Sequence, residues 1–124
     1  MKVLLSIKPE YVEKIFNGEK KYEYRKAIFT NRAIKSIVVY STMPIGRIVG
    51  EFTIEEILQN TPETIWAETK KFSGVKKRFY NAYFHGRTSA YAIKIGNPVL
   101  YQNPIDPKKG NKSFIPPQSF RYLS

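Results

Sequence analysis

Short segments typical of β-strands, bounded by proline and glycine, recur along the whole chain. In residues 48–54, for example, Phe52 and Ile54 alternate with Glu51 and Thr53, the period of a half-buried strand. The predicted strands are 3–8, 21–25, 36–41, 48–54, 89–95, 99–102 and 120–123, and the predicted helices are 9–17, 62–69 and 75–84. Because strands dominate and helices interrupt them only twice, we expect an α+β domain on a small, partly closed sheet.

The length of 124 residues suits a single domain, 1–124, with residues 110–124 as a candidate C-terminal extension. The chain has no cysteine and one histidine, His85, so neither a disulfide framework nor a thiolate zinc site is expected. No metal ion or other cofactor is predicted. No apolar run approaches the roughly 18 residues that a membrane span needs, and residues 1–8 lack the features of a signal peptide. We therefore expect a cytoplasmic protein without a membrane partner.

Positive charge is concentrated in the second half of the chain. There are 21 Lys and Arg residues against 10 Asp and Glu, a net charge of +11. Residues 1–68 carry a net charge of +1, whereas residues 69–124 carry 11 basic side chains and one acidic side chain, Asp106. Such a field attracts polyanions, which favours a polyanionic partner and leaves an acidic protein as an alternative. The candidate phosphate contacts, which are otherwise ordinary solvated side chains, are Lys70, Lys71, Lys76, Lys77 and Arg78.

Residues 18–25 hold the densest group of charged and aromatic side chains. In the predicted strand, Lys21, Glu23 and Arg25 share one face, and Tyr22 and Tyr24 point the other way. The planar guanidinium of arginine suits a carboxylate, a phosphate or a base edge. The spacing alone leaves two readings open: a ligand-binding face, or a solvated strand face with cross-strand ion pairs that contribute little stability.

Gly18-x-Lys20-x-x-Glu23-x-Arg25 resembles the G-x-K-x-x-E-x-R signature of the ASCH domain, a branch of the PUA-like superfamily. The order of elements around the motif is also similar. The resemblance implies a small PUA-like β-barrel with two or three flanking helices and a cleft for RNA or a nucleotide. The side chains that would line this cleft are Lys20, Glu23 and Arg25, with Lys8, Lys21, Tyr40 and Ser41 as additions. Lys20 has the wrong strand parity to share a face with Glu23, so it must reach the cleft from the turn after Gly18.

The same resemblance implies two enzymatic alternatives to a binding module for RNA or a modified nucleoside. One subgroup hydrolyses the amide of acetylated cytidine with a lysine, a threonine three residues later and a glutamate from a later helix. Here Glu23 stands in the threonine position, and Glu68 is the match for the helix glutamate. A ribonuclease would use Lys20 and Glu23 as acid and base. The candidate catalytic residues are therefore Lys20, Glu23 and Glu68.

Overall fold

The computed structural model of the chain describes all 124 residues. Its strands are β1 (Lys2–Ile7), β2 (Tyr22–Arg25), β3 (Ser36–Ser41), β4 (Arg47–Asn60), β5 (Ala90–Ile105) and β6 (Phe120–Leu123). Its α-helices are α1 (Pro9–Phe16), α2 (Pro62–Thr69), α3 (Lys77–Tyr83) and the short α4 (Pro107–Gly110), with a 3-10 helix at Lys70–Phe72. Three of these helices begin with proline, whose fixed φ suits the first helical position. None of the helices combines the length and the apolar character that are needed to cross a membrane.

All six strands form one mixed sheet in the order β2-β5-β4-β3-β1-β6. Strands β1 and β3 pair in parallel, and the other four neighbouring pairs are antiparallel. The α+β prediction is confirmed. The edge strands β2 and β6 are not hydrogen-bonded to each other, but Arg25 on β2 donates to the carbonyl oxygens of Ser6 and Ser119. These bonds join the two ends of the sheet and make it partly closed.

The main core lies where α1 packs against one face of the sheet. The alternating residues Val3, Leu5 and Ile7 of β1 point into this core and meet Val12 and Ile15 of α1. Burial of such side chains stabilises the fold by about 1.5–3 kcal/mol each. The hydrophobic spacing seen in the sequence is therefore what fixes α1 beside the end of β1.

Two smaller clusters complete the interior. Tyr24, Ile65 and Tyr80 belong to a cluster that holds α2 and α3 against the sheet. Tyr40 and its neighbours on the other face are covered by Phe114, 5.6 Å away between ring centroids. The C-terminal segment is thus part of the packing, and β6 pairs with β1 at the edge of the sheet.

Strand β5 continues through Asn97 and Pro98, where the sequence pattern predicted a break. The pairing of β5 with β4 shifts register between Glu51 and Thr53. Asn97 and Pro98 lie opposite this shift and therefore form a bulge. A bulge accommodates both the missing N–H of proline and the positive φ of 43° at Asn97. Strand β4 also extends six residues past its predicted end, to Asn60, because it pairs with β5 along this length.

Candidate functional site

A cavity of about 440 Å³ opens between the end of β1, α1, β2, α3 and the segment before β6. This volume lies within the usual range for small-molecule sites. Its aromatic lining consists of Tyr11, Tyr24, Phe79, Tyr80 and Tyr83. Its charged and polar lining includes Lys8, Lys20, Glu23, Arg25, Thr42 and Gln118. The cavity therefore combines apolar rings with a few convergent polar groups, as ligand sites usually do.

Lys20 enters the cavity from the turn that follows α1, as the parity argument required. Gly18 has φ of +90°, and the Lys20 N–H donates to the carbonyl oxygen of Lys14. Lys20 is only 2% exposed, and its Nζ donates to the Ser73 carbonyl oxygen at 2.7 Å. The ammonium also lies 4.8 Å from the centroid of the Tyr24 ring, within the range of a cation–π interaction.

Burial lowers the pKa of Lys20 from 10.5 to about 8. The nearby Glu23 carboxylate acts in the opposite direction, while the positive charges of Arg25 and Lys14 add to the lowering. The loss of solvation has the larger effect on the pKa. One hydrogen bond and the rings of Tyr11 and Tyr24 stabilise the ammonium less than the water that it loses on burial. Both the ammonium and the free amine of Lys20 are therefore accessible near neutral pH, which is the condition for proton transfer.

Glu23 and Arg25 form an ion pair on β2, with Arg25 Nη2 2.9 Å from Glu23 Oε2. Nη2 of Arg25 also donates to the Ser6 carbonyl oxygen at 2.9 Å, and Nη1 donates to that of Ser119 at 3.3 Å. The Arg25 side chain is 11% exposed, and its buried Nε has no acceptor in the protein. Its outer nitrogens are thus engaged by protein oxygens, and the arginine fixes both the Glu23 carboxylate and the cavity wall.

The Tyr24 ring is held rigidly beneath the Lys20 ammonium. Thr69 Oγ1 donates to the Ile65 carbonyl oxygen, so the Tyr24 hydroxyl is the donor in its 2.7 Å bond to Thr69. Burial raises the pKa of Tyr24 to about 12, which keeps the hydroxyl protonated. Tyr80 packs edge-on against Tyr24, with ring centroids 5.0 Å apart. Tyr24 lines the cavity together with Glu23, although strand alternation predicted that the two point apart.

The structure brings together four of the predicted ligand-binding residues, Lys8, Lys20, Glu23 and Arg25. Three other predicted residues lie elsewhere. Lys21 is exposed and extends over the Phe72 ring, Tyr40 is buried against Phe114, and Ser41 is buried outside the cavity. Strand β2 begins only at Tyr22, so Lys21 lies outside the strand to which the parity argument was applied.

Glu68 lies exposed on α2 and does not line the cavity. Its neighbour Thr69 points inward and accepts the hydrogen bond from Tyr24, so the helix presents its hydroxyl rather than a carboxylate to this region. The cavity consequently lacks the helix glutamate that the amidohydrolase alternative requires. No cluster of three or more histidine and acidic side chains is placed to hold a metal ion.

The predicted phosphate contacts are divided among different surfaces. Lys70, Lys71 and Lys76 line a groove next to the cavity. Lys77 borders a separate depression near α2, and Arg78 is exposed but lines neither the cavity nor the groove. Lys77 and Arg78 are consecutive residues of α3, so their side chains point in different directions around the helix axis.

Sequence reasoning missed the aromatic wall and the C-terminal wall of the cavity. Phe79 and Tyr83 lie half-buried on α3 and line the cavity. The signal for them was an excess of rings on one short helix. Pro117 and Gln118 reach the cavity from far along the chain, where Ser6 Oγ donates to the Pro117 carbonyl oxygen at 2.7 Å. No local pattern marked these two residues.

Comparisons with known proteins agree with this geometry. The family model described as "ASCH domain" matches residues 5–99. An ASCH domain-containing ribonuclease of Zymomonas mobilis is 27% identical over 122 residues, which cover 97% of this chain and 82% of that protein. Large ribosomal subunit protein uL22 of Ureaplasma parvum is 30% identical over 122 residues. The chain spans only 39% of the length of that ribosomal relative, although the match covers 98% of the chain.

Solved structures give the same result. The crystal structure of ASCH from Zymomonas mobilis superposes with a TM-score of 0.91 and 27% identity, covering 99% of this chain and 87% of that one. A hypothetical protein, PH0355, shares the fold over 77% of this chain with a TM-score of 0.56 and 21% identity. The family model, a relative and a solved structure therefore agree, and this chain belongs to the ASCH domain family.

Proposed function

We propose that this protein binds single-stranded RNA and takes one nucleotide of it into the cavity beside β2. The size of the cavity, its aromatic rings and its buried charges suit an unstacked base with its sugar. Single-stranded RNA is generally recognised in this way, by stacking on aromatic side chains and by hydrogen bonds to exposed base edges. The net charge of +11 supplies attraction to the phosphates.

The observation that carries the proposal is the buried ammonium of Lys20 next to a fixed carboxylate. Lys20 donates to the Ser73 carbonyl oxygen and has further N–H groups for a ligand acceptor. Glu23 is held by Arg25 and offers an acceptor for an exocyclic amine. A buried donor and a buried acceptor at fixed positions discriminate between bases more strongly than exposed charges do.

A second candidate function is cleavage of the bound RNA. The lowered pKa of Lys20, about 8, and its place beside Glu23 favour it, and a relative named as a ribonuclease supports it. In this reaction the Glu23 carboxylate takes the proton of the attacking 2′-hydroxyl, whose oxygen bonds to phosphorus. The Lys20 ammonium gives a proton to the departing 5′-oxygen as the P–O bond breaks. Proton transfers of this kind typically accelerate reactions by about 10²–10⁴-fold.

Incubation with single-stranded RNA, followed by anisotropy and mass spectrometry, tests both functions. Lys20→Met keeps most of the length of the side chain and removes its charge, and Glu23→Gln keeps the shape of the carboxylate. We expect both variants to weaken binding and to alter base selectivity, whereas Lys35→Met, a control at an exposed position, leaves both unchanged. Shorter RNA products that Lys20→Met no longer forms would establish cleavage. Wild-type affinity and selectivity in both cavity variants would refute the proposed site.

The same mixtures can include acetylated cytidine. Release of acetate would support the amidohydrolase alternative and would require a catalytic group other than Glu68, which lies outside the cavity. Without turnover of this nucleoside, the cavity remains assigned to RNA.

A further inference from the structure

A basic groove of about 460 Å³ adjoins the cavity, and Val75 lines both. Residues 73–75 lie between the cavity and the groove and contribute to both. Ser73 lines the groove, and its carbonyl oxygen holds the Lys20 ammonium inside the cavity. A polymer with one unit in the cavity would therefore have its neighbouring units close to the groove.

The groove carries positive charge that the protein does not neutralise. It is lined by four lysines and one carboxylate: Lys14, Lys70, Lys71, Lys76 and Glu19. None of the four lysines forms a salt bridge within the protein. The carboxylate of Glu19 accepts a hydrogen bond from the Asn17 amide at 3.1 Å. Lys14 Nζ donates to the Gly74 carbonyl oxygen at 3.4 Å. Ammonium groups without a carboxylate partner along a groove suit a chain of phosphates.

An exposed aromatic ring lies in the same groove. Phe72 is 38% exposed and belongs to none of the hydrophobic clusters of the interior. The ammonium groups of Lys21 and Lys71 lie 4.7 and 5.7 Å from its ring centroid. Rings interleaved with cations are the usual platform for single-stranded nucleic acid, because every base can stack on them. An acidic peptide has no comparable use for the ring, so the combination favours a nucleic acid.

We propose that this groove binds the nucleotides that flank the one in the cavity, with lysines on the phosphates and a base stacked on Phe72. The ligand is then a single-stranded oligonucleotide rather than a free nucleoside. This inference rests on the proposed RNA-binding function and extends it to a second surface. It also gives a role to Lys21, which lies outside the cavity but over the Phe72 ring.

The test measures binding of labelled decauridylate across a range of salt concentrations. The groove variant combines Lys70→Gln, Lys71→Gln and Lys76→Gln. A charge-matched control combines Lys108→Gln, Lys109→Gln and Lys112→Gln, which are exposed and line neither the cavity nor the groove. Each phosphate contact contributes about 0.7 to the salt slope of a single strand, so we expect the groove variant to lose about 2 from it. The control keeps the wild-type slope.

Phe72→Leu tests the stacking contact separately. We expect it to lower the affinity for decauridylate by about tenfold without changing the salt slope. Equal losses in the groove variant and the control would mean a general field effect and would overturn the inference, as would wild-type binding in the groove variant. Preferential binding of polyglutamate, unaffected by Phe72→Leu, would assign the groove to an acidic protein instead. Failure of the wild-type protein to bind RNA at all would refute the proposed function itself.

Discussion

A Cβ atom on Gly74 would lie 2.4 Å from the Cβ of Lys20, closer than two such atoms can approach. Gly74 also has φ of +66°, a backbone conformation that residues other than glycine rarely adopt. The preceding carbonyl oxygen, that of Ser73, holds the Lys20 ammonium at 2.7 Å. The turn at residues 73–74 therefore packs along the whole lysine side chain and fixes where its charge lies in the cavity.

Gly74→Ala should displace Lys20, and Gly86→Ala provides its matched control. Gly86 has φ of +76°, but an added Cβ there meets no atom within 4 Å. Both variants incur the backbone cost of about 1–2 kcal/mol for a side chain in the left-handed region. Only Gly74→Ala should also weaken RNA binding, by about tenfold, because only it moves the lysine. Thermal unfolding and binding titrations of the two variants check this, and equal RNA affinities would contradict it.

Stability should depend on pH through Lys20. Its pKa in the folded protein is about 8 and its ordinary value is 10.5, so between these pH values the unfolded chain binds more protons than the folded one. The free energy of unfolding should therefore rise by up to about 3 kcal/mol as pH increases from 8 to 10.5. Burial is the main cause of the lowered pKa of Lys20. Glu23 opposes the lowering, and Arg25 and Lys14 add to it.

Denaturant titrations of the wild-type protein and Lys20→Met at several pH values measure this contribution. The variant has no titrating group at position 20, so the difference between the two proteins isolates that group from other lysines and tyrosines. Below pH 8 we expect Lys20→Met to have a higher free energy of unfolding than the wild-type protein. This difference should shrink as the pH rises. A difference that stays constant with pH would mean that folding does not lower the pKa of Lys20.

Arg25→Lys should loosen the contact between the two ends of the sheet. The guanidinium donates to two carbonyl oxygens and pairs with Glu23, whereas one ammonium cannot reach all three in the same geometry. Loss of the donor to the part-buried Ser6 carbonyl oxygen should cost about 1–3 kcal/mol, whereas water can replace the donor at the exposed Ser119 contact. Hydrogen–deuterium exchange should accelerate in residues 118–123, while the exposed control Arg32→Lys leaves it unchanged. Unaltered exchange in Arg25→Lys would show that β6 alone secures this segment.

The sequence by itself determined the local elements of the fold. The short apolar segment that opens the chain and the helical spacing of Val12 and Ile15 were enough to predict β1 and α1, because such patterns reflect the geometry of a single element. The motif at residues 18–25 likewise identified Lys20, Glu23 and Arg25, which the cavity brings together.

Only the tertiary structure decided which other side chains share that cavity. Ser6 bonds to Pro117 across 111 positions of sequence, and Arg25 bonds to Ser119 across 94. Contacts of this kind depend on the order of strands in the sheet, which no local period specifies. The same order turned Tyr40 toward Phe114 and left Glu68 in solvent. Local spacing fixes the direction of a side chain within its own element, but the partners it meets are fixed by how distant elements pack.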